Sequence, residues 1–122
     1  MGAHILVVDD DPLLAAALRR PLAYEGFEVE VAVSGEEALG RALDHPPELV
    51  ITNPPRTGMD VRVTEALERL RPERVVYISC DPATLARDLS RLPGFRLADA
   101  VAFDLFPQTA HVETVVVLER AS

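Results

Sequence analysis

At 122 residues the chain is the size of one domain and long enough to bury a hydrophobic core. Twelve basic against twenty acidic residues leave a net charge of -8, which argues against non-specific nucleic-acid or anionic-membrane binding as a primary activity. One cysteine excludes an internal disulfide framework and a cysteine-built zinc site, and no run nears the roughly 20 apolar residues that span a bilayer. Residues 1–3 lead straight into a strand-like run, so no signal peptide and a cytoplasmic location are expected.

The elements follow in chain order. Residues 4–8 (HILVV) read as a buried parallel strand, because the apolar residues continue without alternation. Asp11 and Pro12 then form a helix start, an N-cap acid before proline at the first helical position. Leu14, Ala17, Leu18 and Leu22 recur at helical spacing, and Gly26 can end the helix in a left-handed conformation. Pro21 predicts a kink or a loosened last turn. Phe27, Val29 and Val31 alternate with glutamates, the pattern of a half-exposed or edge strand. Ser34 with Glu37 is a capping box, and Ala38, Leu39, Ala42 and Leu43 give the second helix its buried stripe.

Residues 49–52 predict a third strand, and the Asn53-Pro54-Pro55-Arg56-Thr57-Gly58 segment a loop. A helix over 61–70, begun by Asp60, leads to a fourth strand at 75–78. Asp81-Pro82 repeats the cap-plus-proline device ahead of the stripe Leu85, Leu89 and Leu92, and Pro93-Gly94 ends it. Residues 96–103 and 112–118 are the fifth and sixth strands. Alternating β and α units predict a three-layer α/β open sheet with helices on both faces. No helix separates the last two strands, so the sixth should run antiparallel. Ligand sites in such sheets lie at the carboxyl ends of the strands, here Asp9 to Asp11, Asn53 and Ser79-Cys80.

Charge is uneven. Residues 1–48 hold ten acidic residues and three arginines, and residues 49–122 hold ten acidic residues and nine arginines. The chain has no lysine. The first stretch carries HILVVDDDPLL, then YEGFEVEVA, then SGEEAL, and over residues 4–48 it closely resembles the receiver domain of bacterial response regulators. That resemblance implies Asp9 and Asp10 as a weak Mg²⁺ site, and it sets Asn53 where the family carries its phosphoryl-accepting aspartate. Neither that carboxylate nor the family's lysine is present, so phosphoryl transfer is not expected.

The second stretch carries three further motifs. Asn53 to Gly58, Tyr77-Ile78-Ser79-Cys80-Asp81-Pro82-Ala83-Thr84-Leu85-Ala86-Arg87-Asp88, and Asp104-Leu105-Phe106-Pro107-Gln108-Thr109-Ala110-His111-Val112-Glu113 occur in that order. Together they resemble the C-terminal part of RNA (uracil-5-)-methyltransferases that use S-adenosylmethionine. The resemblance implies Cys80 as the nucleophile that adds to C6 of uracil and Glu113 as the base that removes the C5 proton. It implies that Asn53, Pro54, Pro55, Arg56 and Ser79 line the pocket, with Asn53 in place of the family's usual aspartate. A cysteine ahead of a helix N-terminus lies where aligned amides favour an anion, and covalent addition activates an unreactive ring carbon. The family's glycine-rich cofactor turn is missing: the first strand runs into Asp9-Asp10-Asp11-Pro12, and no glycine follows until Gly26.

These two resemblances predict a single domain, 1–122, of receiver-derived βαβα (1–48) joined to methyltransferase-derived βαβαββ (49–122). The strand order expected from them is 2-1-3-4-6-5, a flavodoxin-like and Rossmann-like hybrid. The leading expectation is a chimeric scaffold, engineered or recombined, with no evolved catalytic function, no bound cofactor, and no nucleic-acid partner in isolation. A fragment of an RNA 5-methyluridine methyltransferase is the second reading, and a receiver-like signalling module that cannot be phosphorylated the third. By resemblance alone, S-adenosylmethionine or Mg²⁺ would be the ligands. Edge strand 27–31 and the first helix are the surfaces through which a homodimer would form.

Overall fold

The computed structural model describes residues 2–103 and 113–121. Six strands and four helices alternate: β1 (His4–Asp9), α1 (Pro12–Tyr24), β2 (Glu28–Ala32), α2 (Gly35–Asp44), β3 (Leu49–Asn53), α3 (Val61–Leu70), β4 (Arg74–Ser79), α4 (Pro82–Ser90), β5 (Phe95–Phe103) and β6 (Glu113–Arg120). The sheet order is β2-β1-β3-β4-β6-β5, as expected. The first four strands are parallel, and β6 pairs antiparallel with both β4 and β5.

Alternate residues of each strand feed opposite faces. On one face Ile5, Val7 and Ile51 pack beneath Ala15, Leu18 and Leu22 of α1. On the other, Val50, Val75, Tyr77, Val116 and Leu118 meet Met59, Leu67, Leu85 and Leu92, and Leu6 meets Ala38 and Ala42 of α2. So α1 holds one layer, and α2, α3 and α4 hold the other. Among the described residues, α1 is the helix that packs on that side. Val115 and Val117 of β6 are half-buried there, and Val101 and Phe103 of edge strand β5 are exposed.

Local chemistry sets the element ends. Asp11 accepts from the Leu13 and Leu14 amides, and Asp81 accepts from the Ala83 and Thr84 amides, each ahead of a proline that needs no hydrogen bond. Ser34 accepts from the Glu37 amide, but the Glu37 carboxylate reaches the Val33 amide rather than that of Ser34. Gly26 takes a φ of +96°, as its place after α1 predicts. Pro21 does not break α1, which runs through it to Tyr24. It stands in the last turn, where its missing N–H removes one bond, and its own carbonyl still accepts from the Glu25 amide at 3.1 Å.

Candidate functional site

The rim formed by the carboxyl ends of the strands is where the motif residues meet. Parallel register sets Asp9 of β1 beside Asn53 of β3, and the Asn53 Nδ2 donates to Asp9 Oδ2 at 3.1 Å. The other Asp9 oxygen accepts from the Asp11 amide at 2.9 Å, and the side chain is 2% exposed. Both oxygens of the expected Mg²⁺ ligand therefore already have partners. Among the described residues no group of three or more His, Cys, Asp or Glu is disposed to hold a metal ion.

A cavity of about 430 Å³ opens between the ends of β1 and β3, the start of α2 and the loop over 53–60. Asp9, Asp10, Asn53, Pro54 and Pro55 line it, together with Arg87 of α4 and Arg91 just past its end. Arg56 and Ser79, also expected to line the pocket, do not line this cavity. Arg56 is exposed at the tip of a turn that the Gly58 amide closes by donating to the Pro55 carbonyl at 2.8 Å. The Ser79 hydroxyl is spent locally: it donates to the Asp81 carbonyl and accepts from the Asp81 amide.

Cys80 follows β4 directly, is half-buried, and is a free thiol. The α4 amides expected to favour its anion are taken by Asp81, so the capping carboxylate and not the thiol holds the helix N-terminus. Glu113 opens β6, also half-buried. Ser79 of β4 registers with Thr114 of β6. The paired register ends there: Cys80 lies one residue past β4, and Glu113, one residue before Thr114, pairs with Phe103 of β5. Residues 104–112, the rest of the third motif, lie outside the described residues.

The loop over 53–60 is fixed by a side chain that its own sequence does not announce. Asp88 of α4 is fully buried, and its carboxylate accepts from the Met59 amide at 2.8 Å and from the Tyr77 hydroxyl at 2.5 Å. Arg87 Nη2 donates to Asp88 Oδ1 at 3.1 Å and to the Thr57 carbonyl at 2.7 Å. Burial, then the bond to Asp88, pushes the Tyr77 phenol above its ordinary pKa and keeps it a donor. Asp88 falls three residues after Leu85 and four before Leu92, on the stripe side of α4, but nothing in the helix itself says what meets a carboxylate there. Its partners lie 11 and 29 residues away, beyond any local signal.

A tRNA (uracil-5-)-methyltransferase family model matches residues 42–121. The chain belongs to that family. It is 51% identical over 82 residues to an uncharacterized RNA methyltransferase of Nitratidesulfovibrio vulgaris, covering 66% of this chain and 18% of the relative. It is 44% identical over 91 residues to a 23S rRNA (uracil(747)-C(5))-methyltransferase of Halothiobacillus neapolitanus, covering 73% of this chain and 24% of that one. The chain therefore spans less than a quarter of the length of these relatives. Among solved structures, the tRNA (uracil-54, C5)-methyltransferase of Pyrococcus abyssi, determined with S-adenosyl-L-homocysteine, aligns with a TM-score of 0.67 at 28% identity. The alignment covers 97% of this chain and 34% of that protein. Likeness to receivers is weaker: a Thermotoga maritima response regulator aligns over 63% of this chain and 66% of its own, with a TM-score of 0.51 at 31% identity.

These matches correct four expectations. A scaffold with no evolved catalytic function does not describe a chain two-thirds of which matches an RNA-methyltransferase family model. The expectation of inactivity falls with it, since relatives 44% and 51% identical are RNA methyltransferases. An engineered or purely chimeric description fails against natural bacterial relatives. The exclusion of nucleic acid rested on net charge, and the charge of less than a quarter of such a protein does not measure the surface the whole offers RNA. Among the described residues no helix is long and apolar enough to cross a membrane.

Proposed function

We propose that this chain is the base-handling segment of an RNA 5-methyluridine methyltransferase, with Cys80 as nucleophile and Glu113 as base. The observation that supports the reading is the β4–β6 register, whose terminal pair Ser79–Thr114 stands next in sequence to Cys80 on one side and to Glu113 on the other. In this reaction the Cys80 sulfur bonds to C6 of a uracil, and the electron pair of the C5–C6 double bond moves onto C5 and the C4 carbonyl. C5 then takes a proton from solvent. Glu113 removes a proton from C5, the double bond re-forms, and the thiolate leaves. Asn53, Pro54 and Pro55 line the neighbouring cavity and are the residues against which the base would rest, whereas Arg56, Ser79, Cys80 and Glu113 do not line it.

S-adenosylmethionine is the methyl donor implied by the family, and the related Pyrococcus protein was determined with its demethylated product. The turn after β1 does not fit such a cofactor. Asp9 and Asp11 already occupy the amides of Asp11, Leu13 and Leu14, residue 12 is proline, and three adjacent carboxylates face an incoming carboxylate. The segment's own chemistry is therefore the reversible addition at C6, which needs no donor.

The receiver-like sequence of residues 1–48 supports a second, structural part of this reading. The 1–122 domain is one sheet in which receiver-type βαβα precedes methyltransferase-type βαβαββ. The family match beginning at residue 42 is consistent with a join inside α2 or just after it.

The test is an RNA oligomer whose uridines carry deuterium at C5. Incubation with the protein in ordinary water should wash the label out, as read by mass spectrometry. Cys80→Ala should abolish the loss, and Glu113→Gln should slow it by about 100-fold, the usual scale of one general base. Label retention by the wild-type chain at millimolar RNA would defeat the reading.

A further inference from the structure

We infer that Asp88 is a positioning residue that fastens the 53–60 loop, at its Thr57–Met59 end, to the helix following Cys80, and so fixes the distance between the two parts of the site. The roles of that loop and of Cys80 rest on the proposed function. The fastening itself rests on the geometry.

A carboxylate in the middle of an amphipathic helix normally faces water. Asp88 instead lies on the core side of α4 with no exposed surface. It is tolerated there because every described buried side-chain polar atom, its oxygens included, has a partner. Those partners come from three places: Tyr77 on β4, Met59 in the loop, and Arg87 on α4 itself. Arg87 adds a second tie to the same loop through the Thr57 carbonyl.

The loop is shaped for this contact. Gly58 takes a φ of +85°, and a Cβ built there would lie 2.7 Å from Asp88 Oδ2 and 2.3 Å from Arg87 Nη2. Backbone and carboxylate therefore meet where no side chain could stand. On its other side, Asp88 is seven residues along the helix that begins immediately after Cys80-Asp81. Tyr77 lies three residues before Cys80 on β4. One carboxylate thus ties the loop to both structural elements that flank the nucleophile.

Asp88→Asn tests this, with Tyr77→Phe as the control that removes one donor and leaves the loop contact in place. In Asp88→Asn the Met59 amide should exchange with D₂O about tenfold faster or more, while the β1–β2 amides keep their protection. The side-chain amide resonance of Asn53 should also move. Washout of C5 deuterium should slow about tenfold at saturating RNA, with the half-saturating RNA concentration unchanged. Tyr77→Phe should leave washout within about twofold although it also lowers the melting temperature. If Asp88→Asn does not fold, Arg87→Met loosens the same loop from a partly exposed position and should give smaller shifts in the same direction. Unchanged Met59 exchange and Asn53 resonance in a folded variant would overturn the inference. So would equal slowing in both variants in step with lost stability, the mark of a merely structural carboxylate. If the wild-type chain washes out no label, the proposed chemistry fails by itself, and the Met59 and Asn53 signals still decide the fastening.

Discussion

Tyr77 is 1% exposed, and its hydroxyl donates to a carboxylate that is itself sealed from water. Its pKa is raised by burial first and by the Asp88 bond second, so the folded protein keeps the phenolic proton after the unfolded chain has begun to lose it. Below the unfolded value near 10 both states are protonated, and the group adds no pH dependence. Above it, stability falls by up to about 1.4 kcal/mol per pH unit until the folded phenol also ionises. Melting temperatures between pH 8 and 11 should show this decline, and Tyr77→Phe should flatten it. At this scale the sequence singles out Cys80 and Asn53 because their neighbours form contiguous motifs. Asp88 and Tyr77 were not legible as a pair. A buried acid in a helix differs from a solvated one only by what the rest of the chain brings to it.

The helices show where local rules hold and where packing overrides them. Both aspartate-proline starts predicted their caps, because an acid followed by proline solves the free-amide problem with adjacent residues. Pro21 predicted a kink or a loosened last turn; it stands in that last turn, and α1 continues through it to Tyr24 with Leu18 and Leu22 packed against the sheet. The cost is real all the same: the Ala17 carbonyl loses the N–H that residue 21 would have supplied. Pro21→Ala should therefore stabilise the fold by about 1–3 kcal/mol in urea unfolding, with no change in slope. An unchanged midpoint would mean that the helix has already relaxed around the ring. The Glu37 carboxylate shows a smaller departure. It is held below the usual carboxylate range by the Val33 amide and then by Arg41, one residue away from the partner that the capping-box pattern names.

Across the whole molecule, strand order was legible because alternating βα units and a short final connection leave few topologies. Lineage was harder to weigh. Two sets of motifs on one sheet suggested a scaffold without function, whereas the family match from residue 42 to 121 makes the larger part of the chain a methyltransferase segment. Layering was the least legible property. Val116 is 2% exposed and faces α3 and α4, while its neighbour Val117 faces the unroofed side. Val116→Ala should cost about 2 kcal/mol, two buried methylenes plus a cavity, and Val117→Ala less than half of that. Equal losses would show that the open face is covered in solution.

β6 enters the sheet between β4 and β5. β5 is finished at Phe103, but the strand it pairs with among the described residues begins at Glu113. During synthesis, then, nine-residue β5 leaves the ribosome before the described strand that it pairs with, and its ladder groups stay unpaired until β6 follows. A nascent chain halted at residue 112 lacks one strand in sequence but two in the sheet. It also leaves the end of β4, with Cys80 just beyond it, without the strand that borders it. The arrival of β6 completes the interior and the edge of the sheet together.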